Sequence, residues 1–492
     1  MSELARKTVN GAAINVTVTL AKTVLQFAIV LPILARIIPP EQFGLVGMAM
    51  AFVAFFTMLN DMGISAALVR AEKPSAAFWS SAFWTNAMIG ALLTALTFLA
   101  APVIAGFFQE PLVEPLVQLL SLTLFMHCMF LVPMAWLQRN FRFRTIALVD
   151  LAAITLASAT AIAAAAAGHG VWALAWQQLM TFAVKMAGGL IAQRAPISLI
   201  YKWSEIRAVL PFSLRLTGAG LVGFANRNAD NILIGRFLGA EALGFYGRAY
   251  QIMLVPVNSL SMGASFALYP AMSSIKGDRP QLNSVYLRSL SILAAITLPM
   301  MTGLALVAVP FVEFVFGARW QPVASALVFL SFAGTIQALT GTSNVLWTSL
   351  GRSDILLRWS LIRMATFLLA FSVGVYFGTI GAVAAAYLAA NIALVIPYKI
   401  ETCRTAGISG GAFAQAIVPP LVSTAVMAAA TLAVRMATPA IETMASFHQL
   451  AILVPVGILA YGLSLMFLFR SYVSENWRMA SELVLRRAAP AE

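Results

Sequence analysis

The sequence predicts an all-α polytopic membrane protein of about 14 transmembrane helices, built as two six-helix lobes related by a parallel internal repeat, with two further C-terminal helices. Three observations carry this expectation. Apolar residues make up 61% of the 492 positions and charged residues only 10%, against about 25% charged in an ordinary soluble domain. The apolar positions gather into long windows separated by charges and turn residues. Finally, segments of the two halves match at fixed offsets.

A soluble chain of this size could not hide so much apolar surface and would need a charged exterior. Roughly 300 apolar positions, at about 20–22 per span, give roughly 14 spans. The windows fall near 11–35, 43–68, 78–107, 113–137, 145–167, 171–193, 209–235, 242–269, 286–312, 322–349, 355–378, 380–399, 413–436 and 448–470. None alternates with period two, so each satisfies its backbone hydrogen bonds as a helix rather than a barrel strand. The first window is too long for a secretory leader and reads as a span. Cys128 and Cys403 lie at or near spans and suggest no disulfide framework.

With the N-terminus placed in the cytoplasm, 21 Lys and Arg residues fall on cytoplasmic segments, Lys399 among them. Only Arg36, Arg236, Arg319 and Arg435 fall on the other side. This positive-inside asymmetry puts both termini in the cytoplasm. Most of the formal charge of +13 is therefore a topology signal facing anionic lipid headgroups, not a nucleic-acid site.

The repeat shows first at an offset of 200. LARIIPPEQFGLVGMA from Leu34 aligns with IGRFLGAEALGFYGRA from Ile234, keeping Arg36/Arg236, Glu41/Glu241, Gly44/Gly244, Gly47/Gly247 and Ala49/Ala249 identical. Further on the offset becomes 211, with Pro111/Pro322, Trp136/Trp347 and Gly170/Gly381 matched. The expected division is residues 1–200, 201–405 and 406–492, the last being helices 13 and 14 with a cytoplasmic tail. Six is an even number of spans, so the halves point the same way. Two facing bundles that rock about a central cleft form an alternating-access design.

Charges at membrane depth mark function by default. Lys22, Lys185, Arg215, Arg227, Arg248 and Arg363 lie within spans, against Asp61, Asp150 and Asp230. Asn15, Thr19, Lys22 and Gln26 form one polar stripe at helical spacing. Arg227 and Asp230 are spaced to pair on one helix face. Arg215, Arg363 and Asp150 sit within two turns of the cytoplasmic end, where snorkelling or a rim ion pair is the plainer reading. The excess of cations suits phosphate or carboxylate, so Lys22, Gln26, Lys185, Arg215, Arg227, Arg248 and Arg363 are the substrate-binding candidates. Asp61 and Asp230 are the candidates for coupling H+ or Na+. His127 and Cys128 read as packed between helices. No P-loop, GxSxG elbow or metal-ligand cluster occurs, so the chain reads as a non-enzyme without catalytic residues, metal or organic cofactor.

The segments LARIIPPEQFGLVGMAMAFVAFFTMLNDMGISAALVR, FWTNAMIGALLTALTFLAAPVIAGFFQEP and NADNILIGRFLGAEALGFYGRAYQIMLVPVNSLS resemble the bacterial polysaccharide flippases. That family belongs to the superfamily that also holds multidrug exporters and lipid II flippases. The resemblance runs over nearly the whole chain. It implies two six-helix lobes forming a V around a cavity. It also implies movement of an undecaprenyl-pyrophosphate-linked oligosaccharide from the cytoplasmic to the periplasmic leaflet, driven by an ion gradient or the membrane potential. Membrane lipids and polysaccharide polymerase or export machinery are the implied partners. A multidrug/cation antiporter shares the architecture but would call for the opposite interior charge. A lipid II flippase shares it too and would differ in being essential for cell-wall synthesis. A polysaccharide polymerase or ligase would need a large hydrophilic loop, and the segments between windows are short.

Overall fold

The computed structural model describes residues 18–19, 21–60, 63–72, 74–472 and 474; the side chains of 208–222, 225–227 and 261–267 fall outside the description. Among the described residues all regular structure is helical. Ten helices among the described residues are long and apolar enough to cross a membrane, and the protein is a multi-pass membrane protein. By residue contacts it divides into two compact units, Met1–Gly244 and Phe245–Glu492.

In the first unit a π-helical stretch, Leu25–Val30, runs into α1 (Leu31–Ile37). Its wide turn closes through the Leu31 N–H on the Gln26 carbonyl. Pro32 follows at once and has no N–H to continue the ordinary ladder, which is a recognised cause of such a register slip. Next come α2 (Pro40–Thr57) and α3 (Ile64–Arg70). The single window expected over 43–68 is thus broken. Gly63 adopts a left-handed φ of 76° just before α3 and interrupts the helical path. The α3 C-terminus is held by Arg139, which donates to the carbonyls of Leu68, Val69, Ala71 and Glu72 at 3.2, 3.1, 2.5 and 2.6 Å. A guanidinium there satisfies orphan carbonyls and complements the helix dipole.

Helices α4 (Ala76–Phe108) and α5 (Val113–Arg139) form an antiparallel pair, followed by α6 (Phe143–Ala166) and α7 (Val171–Ala192). Ser75 caps α4 by accepting the Phe78 N–H at 2.9 Å. Along α5, Leu116, Leu120, Leu124, Cys128 and Val132 recur every fourth position and are all fully buried, one stripe of a 3.6-residue helix turned into the core. On α4, Leu99 and Val103 are over 70% exposed, as lipid-facing positions should be.

Helix α8 (Trp203–Ser274) is two helices joined through Gly239, whose φ of 87° and ψ of 178° are non-helical. This matches the two windows expected there. The segments paired at offset 200 meet here, inside the first unit. A Cβ on Gly44 would fall 1.6 Å from the Ala240 carbonyl oxygen, and a Cβ on Gly244 would fall 2.0 Å from the Pro40 carbonyl oxygen. Since Pro40 and Ala240 are themselves 200 apart, the contact is reciprocal. Only glycine lets the backbones approach this closely.

The second unit continues with α9 (Arg279–Leu306), α10 (Ala308–Phe316), α11 (Pro322–Ser349), α12 (Ser353–Tyr376), α13 (Ile380–Ala406), α14 (Gly410–Ala437), α15 (Ala440–Thr443) and α16 (Ser446–Leu468). The window expected over 286–312 divides between α9 and α10 at Val307. Asp278, Thr379 and Ser409 cap α9, α13 and α14 through side-chain oxygens. Met272, Leu282, Tyr286, Leu290, Ala294 and Leu346 build one of its cores.

Candidate functional site: a lysine–aspartate–lysine cluster

Helices α6 and α7 are consecutive and antiparallel, so the start of one lies beside the end of the other. Asp150 is seven residues into α6, and Lys185 is seven residues before the end of α7. At 1.5 Å per residue both sit about 10 Å from that shared end. They meet there, Lys185 Nζ lying 3.2 Å from Asp150 Oδ1. The other carboxylate oxygen, Oδ2, accepts from Lys22 Nζ at 2.7 Å. One carboxylate therefore holds two ammonium groups, one on each oxygen. The side chains of Lys22, Asp150 and Lys185 remain 24%, 18% and 28% exposed, so the cluster is partly open.

Polar neighbours extend the cluster. His127 on α5 packs edge-on to Phe182 of α7 at 5.5 Å. Its Nδ1 lies 3.1 Å from the Asn60 side-chain nitrogen. Cys128 Sγ donates to the Asn60 carbonyl at 3.7 Å. Gln26 lies one helical turn beyond Lys22, in the π-helical stretch and partly buried.

The other sequence candidates that the structure describes have partners elsewhere. Arg248 donates to Gln251 Oε1 on its own helix. Asp230 is 2% exposed, and its Oδ1 accepts the Asn231 N–H at 2.8 Å. Asp61 and Asn15 lie outside the described residues, as do the side chains of Arg215 and Arg227 and hence the Arg227–Asp230 pairing. Arg363, in the second unit, lies 5.9 Å over the Tyr398 ring. It lines a small cavity of about 50 Å³ with Gln337, Thr340, Tyr387 and Asn391.

One helix runs further than its window. Lys399, expected in a cytoplasmic segment, lies inside α13, which runs on to Ala406. It is only 7% exposed. Its ammonium donates to the Leu339 carbonyl at 2.8 Å, Ser343 Oγ at 3.0 Å and Tyr286 Oη at 3.3 Å. Among the described residues no carboxylate lies within ion-pair distance of it. The expected window ended at residue 399 because a lysine stands there; a lysine ends an apolar window but not a helix, since it is a good helix former. Tyr398 donates to Asn344 Oδ1 at 2.5 Å, and Trp359 Nε1 donates to Glu401 Oε2 at 2.7 Å.

Asp150 is the residue whose place sequence reasoning undervalued. The signal was available: opposite charges at equal distances from the outer, unjoined ends of two consecutive spans.

Comparison with known proteins agrees with this architecture. The family model described as polysaccharide biosynthesis protein matches residues 33–325. The chain is 26% identical over 415 residues to the teichuronic acid biosynthesis protein TuaB of Bacillus subtilis, covering 83% of this chain and 84% of that protein. It is 26% identical to the lipopolysaccharide biosynthesis protein WzxC of Escherichia coli, covering 75% and 76%. It is also 26% identical to the succinoglycan biosynthesis transport protein ExoT of Rhizobium meliloti, covering 68% of each. Among solved structures, the lipid II flippase MurJ in an inward closed conformation superposes with a TM-score of 0.73 at 14% identity, over 93% of this chain and 99% of that one. An inward-facing multidrug resistance transporter of the MATE family superposes with a TM-score of 0.62 at 16% identity, over 79% and 96%. Fold and family together point to membrane transport, and the chain belongs to the polysaccharide biosynthesis protein family.

Proposed function

We propose that this protein flips an undecaprenyl-pyrophosphate-linked oligosaccharide from the cytoplasmic to the periplasmic leaflet of the bacterial inner membrane, by alternating access. The product would serve exopolysaccharide, capsule or lipopolysaccharide synthesis, and both termini would face the cytoplasm. The observation that carries this reading is the Lys22–Asp150–Lys185 cluster, with two cations on one acid at membrane depth and partly open. An ammonium pair of this kind recognises a phosphate anion. The relatives named for lipopolysaccharide and succinoglycan synthesis support the class of cargo. Coupling to H+ or Na+ falls to Asp230 or Asp61. The polymerase and export machinery of the same polymer are the partners this role calls for.

The test is export in a deletion strain complemented with Lys22→Ala, Lys185→Ala or the double variant. Surface polymer should fall at least tenfold in the double variant at normal protein level, roughly the loss of one charge-assisted hydrogen bond or more. Undecaprenyl-linked units should accumulate in the cytoplasmic leaflet. Full export by the double variant would overturn the assignment. Loss of viability on deletion would favour lipid II as cargo. Drug hypersensitivity with intact surface polymer would favour a multidrug exporter.

A further inference from the structure

Asp150 is an odd neighbour for two lysines meant to hold a phosphate. A permanent carboxylate lowers the net charge of the cluster from +2 to +1, by the ordinary charges of these groups. It also occupies one N–H of each ammonium. A site shaped only for tight anion binding would omit it.

We infer that Asp150 is a tethered competitor, a positioning residue that takes the place of the substrate's phosphate while the site is empty. This rests on the reading that the cluster receives the pyrophosphate. The two carboxylate oxygens engage the two lysines separately, as two oxygens of a phosphate would. Arrival of the anion is then an exchange: an ammonium leaves a carboxylate oxygen for a phosphate oxygen. Release is the reverse, with Asp150 reclaiming the lysine.

The exchange occurs at Lys22. Lys185 and Asp150 stand on a consecutive antiparallel helix pair packed along its length, so their separation is fixed by that packing. Lys22 comes from another helix, three residues before the π-helical stretch Leu25–Val30. Such stretches lack the regular ladder and are frequent at functional sites. The carboxylate therefore sets a moderate affinity by design, since a transporter that holds its cargo too tightly cannot let it go. The ligand chemistry is a phosphate anion, on a prenyl chain or free.

The experiment uses the full chain in phosphatidylcholine nanodiscs, with farnesyl pyrophosphate, inorganic pyrophosphate and farnesol as probes. Asp150→Asn should bind farnesyl pyrophosphate roughly tenfold tighter than wild type, within the usual span of coupling effects. In cells the same variant should export less polymer. A purely structural carboxylate would not give tighter binding together with slower export. Tighter binding of inorganic pyrophosphate as well assigns the gain to the phosphate; a gain with farnesol assigns it to the prenyl chain and overturns the inference. Equal or weaker binding by folded Asp150→Asn also overturns it. Should Asp150→Asn not fold, Asp150→Ser carries the same measurement, and failure of both to fold marks the carboxylate as structural and rejects the inference. A wild-type protein that ignores farnesyl pyrophosphate, or binds it no better than Lys22→Met/Lys185→Met, would instead reject the underlying reading of the site.

Discussion

Two lysine clusters can be set side by side, one in each unit. Both use the second helix of an antiparallel pair, α6–α7 in the first unit and α12–α13 in the second. At the sequence offset of 211, Gly170 just before α7 aligns with Gly381 in the first turn of α13. In the first, Lys185 and Lys22 face a carboxylate and stay about a quarter exposed. In the second, Lys399 is sealed and held by a carbonyl and two hydroxyls. The difference is one of replaceability. An ammonium paired with a carboxylate at a partly open site can trade one anion for another. An ammonium wrapped by neutral oxygens in the core has no solvent-facing partner to exchange, and removing it takes away three hydrogen bonds at once. One lysine is placed to exchange its partner and the other to brace the core.

This contrast can be broken in order of expected effect on stability. The largest effects belong to the place where the halves still act alike. Gly44→Ala and Gly244→Ala each introduce a methyl into a carbonyl oxygen and should each cost about 3 kcal/mol. Thermal unfolding in detergent reads this, and a wild-type melting temperature for either variant would contradict the reciprocal contact. Next, Lys399→Ala should cost about 2 kcal/mol, the loss of a buried, charge-assisted hydrogen-bond set. The helix caps Ser75→Ala and Ser409→Ala should each cost about 1 kcal/mol, alike in the two units. Lys22→Ala should cost under about 1 kcal/mol, as befits a part-exposed pair, while its export falls. If Lys22→Ala proved more destabilising than Lys399→Ala, the assignment of binding and bracing would have to be exchanged.

Most helices were legible because hydropathy is a one-dimensional property of a lipid-embedded chain. The windows expected over 113–137 and 322–349 correspond to helices Val113–Arg139 and Pro322–Ser349. Reading failed where a single residue changes meaning with its surroundings. Gly63 breaks an apolar window by its backbone angle, which hydropathy does not register. Lys399 looked like a loop charge because only tertiary packing supplies its three acceptors. Asp150 reads as a snorkelling or rim-paired acid and is ion-paired, but depth alone does not name its two partners, 128 residues before and 35 after it in the chain. Lys22 and Lys185 could be nominated from depth and charge; that they share one acid could not be read from either alone.

The approach of Gly44 to Ala240 and of Gly244 to Pro40 has one more consequence. A contact in which each partner offers the same surface is isologous, the arrangement that two identical subunits adopt about a twofold axis. Here both surfaces belong to one polypeptide. Two separate half-length chains would hold such a contact only above their dissociation constant, whereas covalent linkage replaces bulk concentration with a fixed effective concentration. The junction consequently survives dilution, and each of its two glycines is encoded separately.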